Sequence, residues 1–218
     1  MDRKELKQMK KFICIILAVI SIFAFTACSS QTQTSQQSSE KSTESNSVPT
    51  PQTSHKALVV YFSATGSTKR AAQFIAGEAN ADLFEIAPKQ PYSADDLNYN
   101  DKSSRVWLEH DDASLRKVEL EKTTPDSWSE YDTVFIGYPI WWGEASWVVT
   151  SFVQSNDFTG KTVIPFCTSA SSALGNSAKN LAASSTGGTW LDGIRFSSSE
   201  DESTVKEWAK QTLQEINK

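Results

Sequence analysis

The chain of 218 residues carries 21 Lys and Arg against 26 Asp and Glu, a formal net charge of −5, and 39% of it is hydrophobic. That acidic balance argues against nucleic acid as a partner, because such binding needs a basic patch to meet the phosphates. Three cysteines with no CxxC pair, and two isolated histidines (His55 and His110), leave no disulfide framework and no zinc-ligand spacing.

The first segment reads as an address rather than as part of a fold. Residues 1–11 hold five basic side chains (Arg3, Lys4, Lys7, Lys10 and Lys11) against Asp2 and Glu5. Residues 12–25 follow as an uncharged, mostly apolar run of 14. A bilayer-spanning helix needs about 20 such residues, so the run suits a secretory signal instead. It closes on Phe25-Thr26-Ala27-Cys28, which resembles a bacterial lipobox, although Phe25 stands where leucine is usual. The resemblance implies that 1–27 is a cleaved signal peptide and that Cys28 is lipidated. An ordinary signal peptide with an incidental Cys28 is the alternative. The next stretch, 28–55, is nearly all Ser, Thr and Gln, with Pro49 and Pro51 near its end. It has too little apolar surface to offset the entropy of ordering, so a disordered tether is expected. The chain is thus expected to be exported and anchored by a lipid to the outer face of a bacterial membrane. Removing five bases and two acids with 1–27 leaves 16 basic against 24 acidic side chains, a net charge near −8.

Residues 56–218, 163 in all, suffice for one domain with a proper core. The apolar run 58–62 predicts a buried strand. Residues 69–79 place Ala71, Phe74, Ile75 and Ala79 on one helical face. Further strands are predicted at 83–86 and at 133–136, the latter apolar on both faces as a central parallel strand should be. Between them lies a long crossover, 88–131, with Tyr92, Tyr99, Trp107, many acids and one predicted helix around 103–110. Ala145, Val148, Val149, Phe152 and Val153 form the next helical stripe, which stops near Asn156, Asp157 and Gly160. Strand four is predicted at 162–167, where Pro165 is awkward because proline cannot donate to a ladder. A small-residue helix at 177–183 and a fifth strand at 190–196 follow. Ser199 and Glu202 fit a capping box for a last helix, whose stripe is Val205, Trp208, Ala209, Leu213 and Ile216. Strands alternating with helices predict an α/β fold, a doubly wound five-stranded parallel sheet covered on both faces.

In such sheets ligands sit beyond the carboxyl ends of the strands, where the strand order reverses. The unusual residues cluster there. Strand one is followed by Ser63-Ala64-Thr65-Gly66-Ser67-Thr68. A helix starting here presents unpaired N–H groups and a partial positive charge, the hydroxyls add neutral donors, and Gly66 permits a tight turn. The stretch predicts a phosphate cradle, with a plain Ser/Thr helix cap as the alternative. It is not a Walker A loop, because Gly66 is not followed by Gly-Lys-Ser/Thr. Strand three ends in Gly137-Tyr138-Pro139-Ile140-Trp141-Trp142-Gly143. Two adjacent indoles in a strand-to-helix loop predict a wall for a flat aromatic ligand. Trp141 is expected against that ligand, and Trp142 on the other side of the loop, acting more on folding. Strand four leads into Thr168-Ser169-Ala170-Ser171-Ser172-Ala173-Leu174-Gly175, whose small residues leave backbone amides open to ring heteroatoms.

Together these stretches resemble the flavodoxin family over roughly residues 57–217. "FSATGST" is similar to its S-x-T-G-x-T phosphate loop, and "IGYPIWWG" and "GKTVIPFCTSASSALGNS" to two flavin-flanking loops. The resemblance implies a flavodoxin-like sheet of order 2-1-3-4-5 and bound FMN. It implies that Ser63, Thr65, Gly66, Ser67 and Thr68 hold the 5′-phosphate. It further implies that Pro139, Ile140, Trp141, Trp142 and Gly143, with Thr168, Ser169, Ala170 and Ser171, enclose the isoalloxazine. Ser67 departs from the asparagine common in the family, and Ala170 from a frequent glycine. No acid, base or nucleophile stands out, which suits an electron carrier serving a redox partner protein or a small electron acceptor. An acidic face would steer a basic partner. The alternatives are an NAD(P)H-dependent quinone or flavin reductase on the same fold, and a non-redox binding module that has lost the flavin.

Overall fold

The computed structural model describes residues 56–218; the expected signal peptide, the tether and Cys28 lie outside the described residues. Strand β1 (Ala57–Tyr61) is buried along its whole length. Leu58, Val60 and Phe62 join the core on one face of the sheet, and Val59 and Tyr61 the core on the other. An unbroken apolar run therefore feeds both layers, because successive side chains of a strand alternate in direction. Helix α1 (Ser67–Ala79) returns across one face on Ala71, Ala72, Ile75 and Ala76. It ends on Asn80, whose left-handed backbone lets its N–H cap the Ala76 carbonyl. Strand β2 (Asp82–Glu85) lies at the sheet edge and is mostly exposed.

The crossover contains helix α2 (Arg105–Asp111) and 3-10 turns at Ala113–Arg116 and Trp128–Glu130. Then come β3 (Thr133–Trp141), β4 (Glu144–Ala145), α3 (Trp147–Gln154), β5 (Thr162–Ser169) and α4 (Ser177–Ser184). The chain finishes with β6 (Thr189–Trp190), β7 (Ile194–Ser197) and α5 (Glu202–Ile216). The sheet runs β2-β1-β3-β5-β6, with β7 also on β5 and β4 on β3. All pairings are parallel except β4 on β3. Helices α1 and α5 cover one face, while α3, α4 and the crossover cover the other.

The expected order 2-1-3-4-5 is present in this arrangement, with the fifth strand in two pieces. Pro165 supplies the reason. Along β5, Val163 O accepts from Leu191 N on the fifth-strand side, whereas Thr162 N donates to Asp132 O on the β3 side. Backbone groups alternate sides, so Pro165 faces the fifth strand, where its missing N–H leaves the ladder unbonded. The break between β6 and β7 falls opposite that residue, and Gly193 lies so close there that a Cβ would sit 3.1 Å from the Pro165 Cβ and carbonyl oxygen.

Two other expectations are corrected. Strand three does not stop at 136 but continues to Trp141, because β5 pairs Gly137, Tyr138 and Pro139 with Phe166, Cys167 and Thr168, and β4 folds back to pair Ile140 with Ala145 and Trp141 with Glu144. The expected capping box is not formed: α5 begins after Asp201 with no side-chain cap. Instead Glu200 Oε2 accepts from Ser197 N and closes the preceding turn. Among the described residues no helix is long and apolar enough to cross a membrane.

Candidate functional site

The carboxyl ends of β1, β3 and β5 are neighbours, and the chain leaves β1 in one direction along the sheet and β3 in the other. This is the reversal point at which a doubly wound sheet opens a crevice. Register brings the three unusual stretches together: Tyr61 pairs with Gly137, Phe62 N donates to Gly137 O, and Pro139 pairs with Thr168. Gly137 permits the close stacking beneath them, since a Cβ there would lie 2.2 Å from Phe166 Cζ.

In the first stretch Gly66 has φ 93° and precedes α1. A Cβ at Gly66 would meet nothing within 4 Å, so the backbone angle rather than space asks for glycine. Ser63 Oγ accepts from Gly66 N at 3.1 Å and closes the turn. The first N–H groups of a helix have no intrahelical partner, and the first turn of α1 carries no acidic side chain. Thr65 is exposed at the cleft. Thr68 is different: it is buried, and its Oγ1 lies 2.8 Å from Oγ1 of buried Thr168. The hydroxyl placed in the cradle by pattern is thus also a tie between the first and third stretches.

The second stretch is a hairpin rather than a strand-to-helix loop. Trp142 (φ 53°) and Gly143 (φ 80°) are its two turn residues, the both-positive geometry that two-residue hairpins prefer. A left-handed tryptophan is strained, and its neighbours offset the strain. Trp142 stacks on His110 at 4.1 Å between ring centres and meets Trp107 at 4.9 Å and Tyr99 at 5.4 Å. The preceding indole goes elsewhere. Trp141 is 3% exposed and packs edge-on against Phe62, Tyr92 and Trp147.

The third stretch is pinned from behind by Arg195 on β7. Its Nε donates to Ser169 Oγ, and its Nη2 donates to the carbonyls of Ser169 and Ala170.

Between these stretches lies a cleft of about 210 Å³. Of the residues singled out by sequence, Thr65, Pro139, Ile140, Trp141, Thr168, Ser169 and Ala170 line it. Ser63, Gly66 and Ser67 shape the loop, Gly143 the hairpin, Trp142 faces the crossover, and Ser171 is exposed beyond the rim. Ala64, Leu97, Tyr99 and Ser198 complete the lining and were missed, as was Arg195. Ser198 follows the fifth strand and could have been found by the strand-end rule. Leu97 and Tyr99 arrive from the middle of the crossover, with no local signal of where they dock.

No lining side chain is charged at neutral pH. Burial pushes the Tyr99 phenol up to about 12. Beneath the third stretch, burial pushes the Cys167 thiol up to about 12 against the opposing pull of Arg195, so it is no nucleophile at neutral pH. Among the described residues no cluster of His, Cys, Asp or Glu could hold a metal ion. The arrangement offers neutral donors from Thr65 and the start of α1 and apolar lining from Leu97, Pro139, Ile140 and Trp141, a combination that suits a phosphorylated ligand with an apolar ring.

Fold and cleft define a flavodoxin-like α/β protein. A sequence profile described as flavodoxin matches residues 56–212, and the chain belongs to the flavodoxin family. It is similar to a candidate flavoprotein from Bacteroides uniformis ATCC 8492, at 42% identity and a TM-score of 0.66 over 72% of this chain and 98% of that one. A candidate flavoprotein from Bacteroides eggerthii DSM 20697 is similar at 39% identity and a TM-score of 0.65, with the same coverage of 72% and 98%. A flavoprotein from Lactobacillus acidophilus NCFM, solved in complex with FMN, shares the fold at 21% identity and a TM-score of 0.50 over 72% of this chain and 99% of that one. Among curated proteins none matches the chain.

Proposed function

We propose that this chain binds FMN in the cleft and serves as an electron carrier, exported and held by a lipid on Cys28 at the outer face of a bacterial membrane. The observation that carries the reading is one cleft at the ends of β1, β3 and β5 that joins the hydroxyl-bearing loop to Pro139, Ile140, Trp141, Thr168, Ser169 and Ala170, with no acid, base or nucleophile in its lining. The Lactobacillus acidophilus flavoprotein, of the same fold, takes FMN. Here the first N–H groups of α1 and the hydroxyls of Ser63, Thr65 and Ser67 hold the phosphate, while Thr68 braces the loop through Thr168. Pro139, Ile140, Trp141 and Tyr99 shape the ring slot and exclude water from it, and backbone groups of 168–170 meet the ring edge. When bound, FMN supplies the redox chemistry, and the protein sets its affinity and its surroundings. The acceptor is a basic redox protein, drawn by the acidic surface, or a small molecule reaching the rim.

Titration of the protein with FMN and with riboflavin tests the reading. Wild-type protein should take up FMN and turn yellow. Thr65→Val removes one donor to a charged group, a contribution of about 1.5–3 kcal/mol, so FMN should bind about 10- to 150-fold more weakly while riboflavin is little changed. Equal loss for both ligands would reduce the loop to a structural cap. Steady NAD(P)H oxidation with a quinone would make the protein a reductase instead. Retention of Cys28→Ala on membranes would remove the anchor from the proposal.

A further inference from the structure

Arg195 does not line the cleft, yet three of its hydrogen bonds end on one cleft-lining loop. Its Nε donates to Ser169 Oγ at 3.0 Å, and its Nη2 donates to Ser169 O at 2.8 Å and Ala170 O at 3.1 Å. Ser169 Oγ in turn donates to Ser172 O. Two successive carbonyls turned toward one guanidinium mark the point at which the chain leaves β5, and the planar fork of arginine suits such a grip. With those carbonyls drawn back, the loop keeps free donors: among the described residues the N–H groups of Ser171, Ser172, Ala173 and Leu174 have no protein acceptor.

The guanidinium is permanently charged, and among the described residues no carboxylate lies within ion-pair distance of it. Its field reaches both sides of the loop. Glu200 is held below its usual range by the Ser197 N–H first and, in smaller part, by Arg195, and the buried Cys167 thiol feels Arg195 from beneath.

We propose that Arg195 is the positioning residue of the flavin site: by holding the Ser169 and Ala170 carbonyls it shapes the loop that follows β5, leaving the amides of 171–174 as donors, and it sets an unpaired positive charge behind that loop, favouring the more electron-rich, reduced cofactor. The inference rests on the reading of this cleft as an FMN site. It assigns to the fifth strand a part in setting the reduction potential.

The test compares wild type, Arg195→Lys and Arg195→Gln for affinity toward oxidised FMN and riboflavin and for the two-electron midpoint potential. Both variants lose the fork, so oxidised FMN and riboflavin should each bind about tenfold more weakly, since the phosphate is not involved. Only Arg195→Gln loses the charge. In it, the ratio of reduced to oxidised affinity should fall about tenfold further, a drop of about 30 mV in the two-electron potential. Arg195→Lys should keep the wild-type ratio. A folded Arg195→Gln protein with unchanged affinity and potential would overturn the proposal. An equal loss of affinity in both redox states in Arg195→Gln would sink the electrostatic half, because loss of the fork alone gives that result. A wild-type protein that takes up no FMN would sink the functional reading together with the electrostatic half. Unchanged NMR signals over 168–175 in flavin-free Arg195→Gln would sink the positioning half alone.

Discussion

The wall of the cleft made by β1, β3 and β5 and the wall made by the crossover 88–131 are held by different forces. On the sheet side, backbone ladders fix Pro139 opposite Thr168 and Tyr61 opposite Gly137, and apolar side chains fill both layers beneath. On the crossover side there are few ladders to use. Side chains do the holding: buried Glu109 accepts from Tyr92 Oη and Arg105 Nε, Arg105 lies 3.8 Å over the Tyr92 ring, and Arg116 donates to the carbonyls of Glu109 and His110. A wall built on ladders is fixed by the whole sheet, whereas a wall built on a few polar ties can loosen by itself.

Trp141 is a buried place where the two walls touch, because it packs on Phe62 after β1 and Trp147 on α3 as well as on Tyr92 from the crossover. Trp141→Ala should therefore have the largest effect, a global loss of about 3–5 kcal/mol as for other buried aromatics. Chemical denaturation read by far-UV circular dichroism checks it. A loss below about 1 kcal/mol would mean that the indole is a ligand contact more than a core residue, the role that the sequence alone suggested.

Glu109→Gln is next. It removes the charge that pairs with Arg105, whose side chain is only 19% exposed, and weakens the acceptor for Tyr92, at a cost of about 1.5–3 kcal/mol. The loss should be local. Amide exchange over 92–111 should speed up while β1 and β3 keep their protection. Uniform acceleration across both regions would show one cooperative unit and would break the comparison.

Within the sheet wall, Thr68→Val leaves the buried Thr168 hydroxyl without its partner, which costs about 1–3 kcal/mol. Replacing both with valine should recover much of that, since no orphan remains. Thermal melts of the two single variants and the double give the coupling. An additive result would mean that the two hydroxyls are satisfied separately.

The same contrast explains what could be read beforehand. The sheet wall was legible because short unbroken apolar runs, one glycine among four hydroxyls, and the position of each motif after a strand are all local signals. Strand three extends past 136 through pairing with Phe166, Cys167 and Thr168 and with Glu144-Ala145, long-range partners that no local pattern shows. The two indoles were placed in one loop because no local rule foresees a left-handed tryptophan at position 142. Pro165 is awkward by strand rules alone, and the gap between β6 and β7 that accommodates it is a feature of the partner strand. Of the crossover wall only the helix expected around 103–110 was legible, present at Arg105–Asp111; Leu97 and Tyr99 carry no local signal of where they dock, and Glu109 is one acid among many.

The smallest expected effect is an acid-side loosening of the crossover wall. Asp96 is held below the usual carboxylate range first by the Ser93 backbone N–H and then by the Ser93 hydroxyl. Asp101 is lowered by the Ser103 hydroxyl and then by its N–H, and Asp112 likewise by Ser114. These turns bracket Leu97 and Tyr99 and the start of the Ala113–Arg116 turn. A carboxylate whose folded pKa is depressed contributes stability that is complete above its unfolded value, about 3.9, and that is lost as pH falls through the folded value. Nothing should therefore change between pH 7 and 5. Below about pH 4 the crossover should loosen first, shifting the near-UV signals of Tyr99 and Trp142 before β1 amides lose protection. The change should be gradual and should weaken little with salt, because the main partners of the three carboxylates are hydrogen-bond donors, with Arg105 near Asp96 and Arg116 near Asp112 contributing less. Loss of both signals at a single pH midpoint would show that the two walls of the cleft unfold together.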